Sequence, residues 1–403
     1  MVILICLIPS QLSYHLWIPV LDYPRSDYLS LTVYATDILA ILLVLVRLHG
    51  HRLKLIDRLK TVFTSRSGLF ILGAILVNTT FSLYPALSLF KYLKILIYIG
   101  LLSEYSWSSE KMQRLFIKSL VVLILWVSSL AIIQFLNKSS VGGLLYWLGE
   151  RPLTLGIPSV ASINLNNFGQ WLRSYSTFPH PNALAGFIVA TLPLLFYYKK
   201  LCKSTGISKI INVSILLAVL SLVSSFSFSA IFVFLCYLVF SPKSQTLDIK
   251  HKLIISSIIL VLTLFISYLV RPVSILDRYE QLGSAGDIFV SSPVTGTGLG
   301  AYLLGSKSPI SPYGTFYQPV HNIYLLFLTE TGILGLLVLT TLLIRIKKPS
   351  KSQMANSILL SIFSIAALGT IDHYWLTSHS NLVFAVLLLV IYFKQNDNTK
   401  IIK

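Results

Sequence analysis

The chain is written as a succession of apolar runs, each about long enough to cross a bilayer, and few folds can absorb that pattern. The runs fall near 1–20, 29–46, 67–83, 86–104, 113–136, 183–198, 208–225, 227–241, 252–270, 321–345, 355–371 and 379–393. A spanning helix takes roughly 20 apolar residues, because lipid offers its backbone no partners outside the segment. The first run is the weakest, since Pro9, Gln11 and His15 interrupt it. The pattern therefore predicts eleven or twelve membrane helices in a single all-α, polytopic domain covering 1–403. Composition agrees: 55% of residues are hydrophobic and 11% charged, with mean hydropathy +0.78. Soluble proteins carry about 25% charged residues.

A net charge of +18 could suggest nucleic acid, but the placement of the charges argues for membrane topology instead. Twenty-three of the 32 Lys and Arg fall in alternate connections, around Arg47–Arg66, Lys111–Lys118, Lys199–Lys209, Lys243–Lys252, Arg345–Lys351 and Lys394–Lys403. Short basic loops stay in the cytoplasm, beside anionic lipid headgroups. Both termini are then expected inside, and two long insertions, 137–182 and 271–320, outside. The apolar start lacks a basic leader and a small-x-small cleavage site, so it reads as a retained first span. Cys6, Cys202 and Cys236 all lie away from the outer loops, and no disulfide framework is expected.

Structureless loops of about 46 and 50 residues are uncommon and usually functional. The first contains Val141–Leu148, an amphipathic stretch whose Tyr146 and Trp147 suit the headgroup layer. It ends Arg173-Ser-Tyr-Ser-Thr-Phe-Pro-His180-Pro-Asn182 before an apolar run. Asn182 suits the helix N-cap there, with Pro179 and Pro181 blocking an earlier start. The second loop carries Asp277-Arg278-Tyr279-Glu280 and Gly296-x-Gly298-x-Gly300, and leads into His321-Asn322-x-Tyr324-Leu325. Two helix N-termini facing one compartment, with Arg173 and Arg278 near them in sequence, suit a phosphate or other anion. The same arginines could bind lipid phosphates, or pair with Asp277, Glu280 or Glu150. His321, at a helix start, should stay neutral and able to accept a proton; a histidine simply anchoring the interface is the competing reading.

Helical projection from His321 places Leu328, Gly332 and Gly335 on its own face and Glu330 on the opposite one, about 13.5 Å deeper. Glu330 is therefore expected to be structural. Lys91 and Lys94 could neutralise phosphate or merely snorkel. Asp372 and His373, in the short turn before the last span, could add polar groups, as could Asn322. No strand–helix unit surrounds the glycine triplet, which reads as a tight turn and not as a dinucleotide site. Walker, Asp-x-Asp and metal-spaced His/Cys patterns are absent from the sequence, so neither metal nor cofactor is expected.

Two stretches resemble the O-antigen ligase and polymerase family of bacterial envelope polysaccharide synthesis. One is Arg173-x4-Phe178-Pro-His-Pro-Asn182-Ala-Leu-Ala-Gly186-Phe187. The other, more specific, runs Arg278, Pro293-x2-Gly296-x-Gly298-x-Gly300-x-Tyr302, then His321-Asn322-x-Tyr324-Leu325-x4-Glu330-x-Gly332-x2-Gly335. The first half of the chain matches in hydropathy alone, and His180 departs from the family pattern, where a small or amide residue is expected. The resemblance implies glycan transfer from a polyprenyl-diphosphate carrier, without metal, at the outer face of the cytoplasmic membrane. His321 would then be the base that activates an acceptor hydroxyl, with Arg173 and Arg278 holding the diphosphate. The acceptor would be a glycan, lipid or protein, and a chain-length regulator is a conceivable partner. Two other classes compete. A transporter or flippase of lipid-linked sugars would distribute charge through the membrane interior and break helices there. A peptidoglycan polymerase of the shape-and-division type would need Asp277 or Asp287 as its catalytic carboxylate.

Overall fold

A computed structural model describes residues 1–16, 26–157, 160–164, 168–202, 204–240, 248–270, 272–306, 318–344 and 352–397. The chain is mostly helical. In order run α1 (Val2–Leu7), a ribbon of β1 (Ser13–Leu16) and β2 (Leu31–Tyr34), then α2 (Ala35–Thr64), α3 (Arg66–Thr80), α4 (Pro85–Ser103) and α5 (Glu110–Asn137). A second ribbon, β3 (Ser162–Asn164) and β4 (Gln170–Leu172), precedes α6 (Pro181–Leu201), α7 (Thr205–Ser224), α8 (Phe228–Phe240), α9 (Ile249–Val270) and α10 (Pro272–Ser291). The short α11 (Tyr302–Gly305) leads to α12 (Ile323–Leu343), α13 (Gln353–Gly369), the single turn α14 (Tyr374–Thr377) and α15 (His379–Asp397). Among the described residues, six helices are long and apolar enough to cross a membrane: α4, α5, α6, α7, α9 and α12. The apolar helices α3, α8, α13 and α15 are shorter.

Helix α6 lies at the centre. Every residue from Pro181 to Leu195 is buried, enclosed by α5, α7, α8 and α13. At the other extreme, α9 exposes Leu253, Ile254, Val261, Leu264 and Phe265, as a helix bathed in lipid would. An apolar helix buried on all sides and another bare on most of its surface are both costly in water, and both suit a bilayer.

Four expectations need correction. The run 1–20 is not a span: α1 stops at Leu7, before Pro9, and residues 13–16 pair antiparallel with 31–34 as a ribbon. The run expected from residue 29 accordingly becomes helical only at Ala35. The expected loop 271–320 is substantially helical, since α10 occupies 272–291 of it with Pro272 as first residue, where proline's missing N–H costs nothing. The helix expected from His321 starts at Ile323, and Gly332 (φ 63°, ψ −165°) breaks it. Projection from His321 along one continuous helix therefore fails. The insertion 137–182 holds the β3–β4 ribbon and, at Gly143–Leu148, a 3-10 turn with exposed Leu144, Tyr146 and Trp147.

Candidate functional site

The N-terminus of α6 is built by its prolines. Pro181 takes the first helical position and moves the cap two residues upstream of Asn182. His180 caps instead, its Nδ1 accepting from the Asn182 backbone N–H at 3.1 Å. This is the role His180 lacked in the sequence, and it frees the Asn182 side chain. Asn182 Oδ1 accepts from Arg173 Nη2 at 2.8 Å, and its Nδ2 donates to Asp372 Oδ2 at 2.8 Å.

Arg173 is 3% exposed, and its guanidinium also donates to the carbonyls of Ser225 (2.7 Å) and Phe226 (3.4 Å) in the α7–α8 turn. Glu150, one conceivable partner, is engaged elsewhere: it accepts from Gln134 Nε2 and from the backbone N–H groups of Val141 and Gly142.

Asp372 gathers the site. Its Oδ1 accepts from the His373 N–H at 2.8 Å, and the ring of His373 meets that of His321 edge-on with centroids 4.9 Å apart. His373 Nδ1 is 2.8 Å from Thr377 Oγ1, which itself lies 3.3 Å from the His373 carbonyl. His321 Nδ1 meets Gln281 Oε1 of α10 at 2.5 Å. An amide oxygen only accepts, so Nδ1 carries the proton and Nε2 keeps its lone pair. Arg278, one turn before Gln281 on the same helix, acts electrostatically on His321, Asp372 and His373. Its guanidinium makes no hydrogen bond among the described residues.

These neighbours set the charges. Burial pushes the His321 imidazole well below its ordinary value; His373, Arg278 and His180 push it the same way, and Asp372 alone opposes them. Burial and Arg278 lower His373 likewise, against Asp372. For Asp372, burial favours the neutral acid, but His321, His373, Arg278 and His180 more than reverse this and hold the carboxyl far below the usual carboxylate range. The result is one carboxylate and neutral imidazoles grouped near a guanidinium that makes no hydrogen bond among the described residues.

One ligand-type atom from each of His321, Asp372 and His373 lies within 4.8 Å of the others. Sequence spacing hides this grouping, because the two stretches are far apart in the chain. Two neutral imidazoles and a carboxylate are cation-type ligands, while Arg278 beside them repels a cation and attracts an anion that Asp372 in turn repels.

The remaining sequence candidates lie near the cluster or support it. Asn322 caps α12, its Oδ1 accepting from the N–H groups of Tyr324 and Leu325, and its Nδ2 donates to the Thr370 carbonyl. Lys94 is committed to Asp37 at 2.7 Å and to the Thr32 carbonyl. Lys91 packs under Gly300, reaches the Tyr28 carbonyl at 3.5 Å and shares an electrostatic contact with Glu330. Glu330, expected to be structural, accepts from the backbone N–H groups of Gly300 and Tyr302 and so holds the glycine turn in place. Sequence reasoning missed Gln281. Its signal was the three-residue spacing from Arg278, visible only once 272–291 is read as a helix. Compared with family models, curated proteins and solved structures, the chain matches none of them.

Proposed function

We propose that the protein is a membrane glycosyltransferase of the O-antigen ligase and polymerase type, which takes its glycan from a polyprenyl-diphosphate carrier at the outer face of the cytoplasmic membrane. The observation that carries this reading is the guanidinium of Arg278, which makes no hydrogen bond among the described residues, beside the neutral, Gln281-oriented ring of His321. An acceptor hydroxyl attacks the anomeric carbon. His321 Nε2 takes its proton as the new C–O bond forms, and the bond to the carrier diphosphate breaks with its electron pair on the leaving oxygen. Arg278 receives that charge through its forked donors. Asp372 stabilises the imidazolium formed in the step, as the carboxylate of a hydrolase triad does. Arg173 acts through others: it orients Asn182, which orients Asp372. Neither metal nor cofactor has a part in this scheme.

The decisive test uses membranes supplied with lipid-linked glycan donor. His321→Ala is expected to lower turnover by about 10²–10⁴ while donor binding changes little. Near-normal turnover would sink the reading. Two observations favour a transporter or flippase of lipid-linked sugars as a second reading: the break in α12 at Gly332, and the Glu330–Lys91 pair buried at that depth. Flippase activity in proteoliposomes that persists in His321→Ala, with no glycan transfer by the unmodified protein, would establish it instead.

A further inference from the structure

Beside the histidines lies a second cavity of different character. The turn before β2, the N-terminal half of α4 and the start of α15 line an open cleft of about 80 Å³, small enough that a ligand would lie across its mouth. Its walls include Tyr28, Tyr34, Phe90 and Tyr98, with Ser30 and Thr32 at the edge.

Its charges are compensated. Lys94 pairs with Asp37 at 2.7 Å, and Asp27 pairs with Arg151 at 3.2 Å. Lys91 has Glu330 as its electrostatic counterpart. The Tyr28 and Tyr34 hydroxyls have no hydrogen-bond partner among the described residues, so they remain available to donate or accept. Buried Asp37 fixes the wall by accepting from the Tyr34 N–H (2.9 Å) and the Tyr98 hydroxyl (3.0 Å).

The cavity adjoins the cluster through two residues it shares with it. Thr377 lines the cavity and also contacts His373 Nδ1, and the Tyr28 ring meets His373 edge-on at 5.7 Å. Arg278 offers an anion a charge that it shares with Asp372, whereas this cavity offers aromatic side chains and neutral hydroxyls. Such a lining suits a molecule with apolar C–H faces and many hydroxyls.

From this juxtaposition we infer that the cavity between the β1–β2 ribbon, α4 and α15 is a subsite for an uncharged saccharide, the sugar of the acceptor, with one hydroxyl directed at the His373–His321 pair. Its role as the acceptor's seat rests on the transfer reading above; its capacity to bind a neutral sugar does not.

The test is saturation-transfer NMR on the full chain in nanodiscs. The probes are methyl glycosides of neutral hexoses, 6-deoxyhexoses and N-acetylhexosamines, with methyl glucuronide and inorganic pyrophosphate as charged comparisons. At least one neutral glycoside is expected to bind. Its affinity is expected to fall about fivefold in Phe90→Ala, the share of one aromatic wall, and further in Ser30→Trp, which fills the space. A Ser30→Trp protein that fails to fold leaves Phe90→Ala to decide. The subsite is refuted if no neutral glycoside binds, if only the charged probes do, or if Phe90→Ala binds like the unmodified protein. Glycoside binding without transfer activity would reject the transfer reading and keep the subsite; transfer without glycoside binding would do the reverse.

Discussion

Replacing Gln281 with glutamate changes one atom of the group that orients His321, and its consequence can be worked from the geometry. The amide oxygen now 2.5 Å from His321 Nδ1 becomes a carboxylate oxygen, and the new charge lies about 4 Å from the centre of the ring's charge. At an effective dielectric of about 20 that attraction is worth about 4 kcal/mol, or roughly three pKa units. His321 and Gln281 are both only half-buried, so solvent screening reduces the expected shift to ~1–2 units. The sign follows from the role of the ring. A base works when neutral, and a carboxylate favours the imidazolium, so activity is lost earlier as pH falls. In the unmodified protein burial holds His321 well below its ordinary value, and transfer should be flat down through pH 6. In Gln281→Glu the acid limb should move up by ~1–2 pH units while the rate at pH 8 or above stays close to normal. Gln281→Ala should instead mix the two ring tautomers, which ¹⁵N spectra of labelled histidine resolve. An acid limb that stays in place or moves down in Gln281→Glu, with the protein folded, would refute the assignment of His321 as the base.

Other expectations follow from the same contacts. Arg173→Ala leaves the buried Asn182 Oδ1 and Ser225 carbonyl without this donor and should lower stability by about 2–4 kcal/mol together with activity, read as detergent melting and turnover; Arg173→Lys should restore little of either, having no fork. Gly186→Ala would place a Cβ 2.1 Å from the buried Tyr374 hydroxyl, and overpacking of this kind costs about 1–3 kcal/mol; an unchanged melting temperature would count against the α6–α14 contact. Glu330→Gln should destabilise by leaving Lys91 uncompensated, and adding Lys91→Met should recover most of the loss. Transfer should survive EDTA, and its restoration by a divalent ion after EDTA inhibition would return the His321–Asp372–His373 grouping to a metal role. With the native cysteines removed, Ser291→Cys should label from outside intact cells and Ser204→Cys should not; the reverse would invert the topology.

The parts of the fold that read well from sequence were those governed by hydropathy alone, such as α5, α6 and α7. Where a polar residue or a proline broke the run, hydropathy misled: the runs 1–20 and 29–46 read as spans, yet α1 stops before Pro9 and their segments 13–16 and 31–34 pair as strands. The site was half legible. Arg278, His321 and Asp372 could be named from residue type and position, since chemistry-bearing residues are rare in such a chain. Their partners could not, because Asn182–Asp372 and Gln281–His321 are contacts between segments whose juxtaposition depends on helix packing. Asn182 was misassigned as a cap for a local reason: Pro181, as first helical residue, moves the helix start two residues upstream.

The break at Gly332 also constrains how the chain enters the membrane. A straight apolar helix can be delivered to lipid by itself, because its peptide groups are already bonded to one another. Here Ile333 and Leu334 donate instead to the Pro293 and Val294 carbonyls, and Thr297 and Gly298 donate to those of Thr329 and Glu330. Neither segment satisfies its own backbone, and each would carry bare amides into hydrocarbon if it arrived alone. The two must be inserted as a unit, with residues 293–298 dipping in from the end of the bundle that holds the histidines. Until α12 has emerged from the ribosome, that turn has nowhere dry to go.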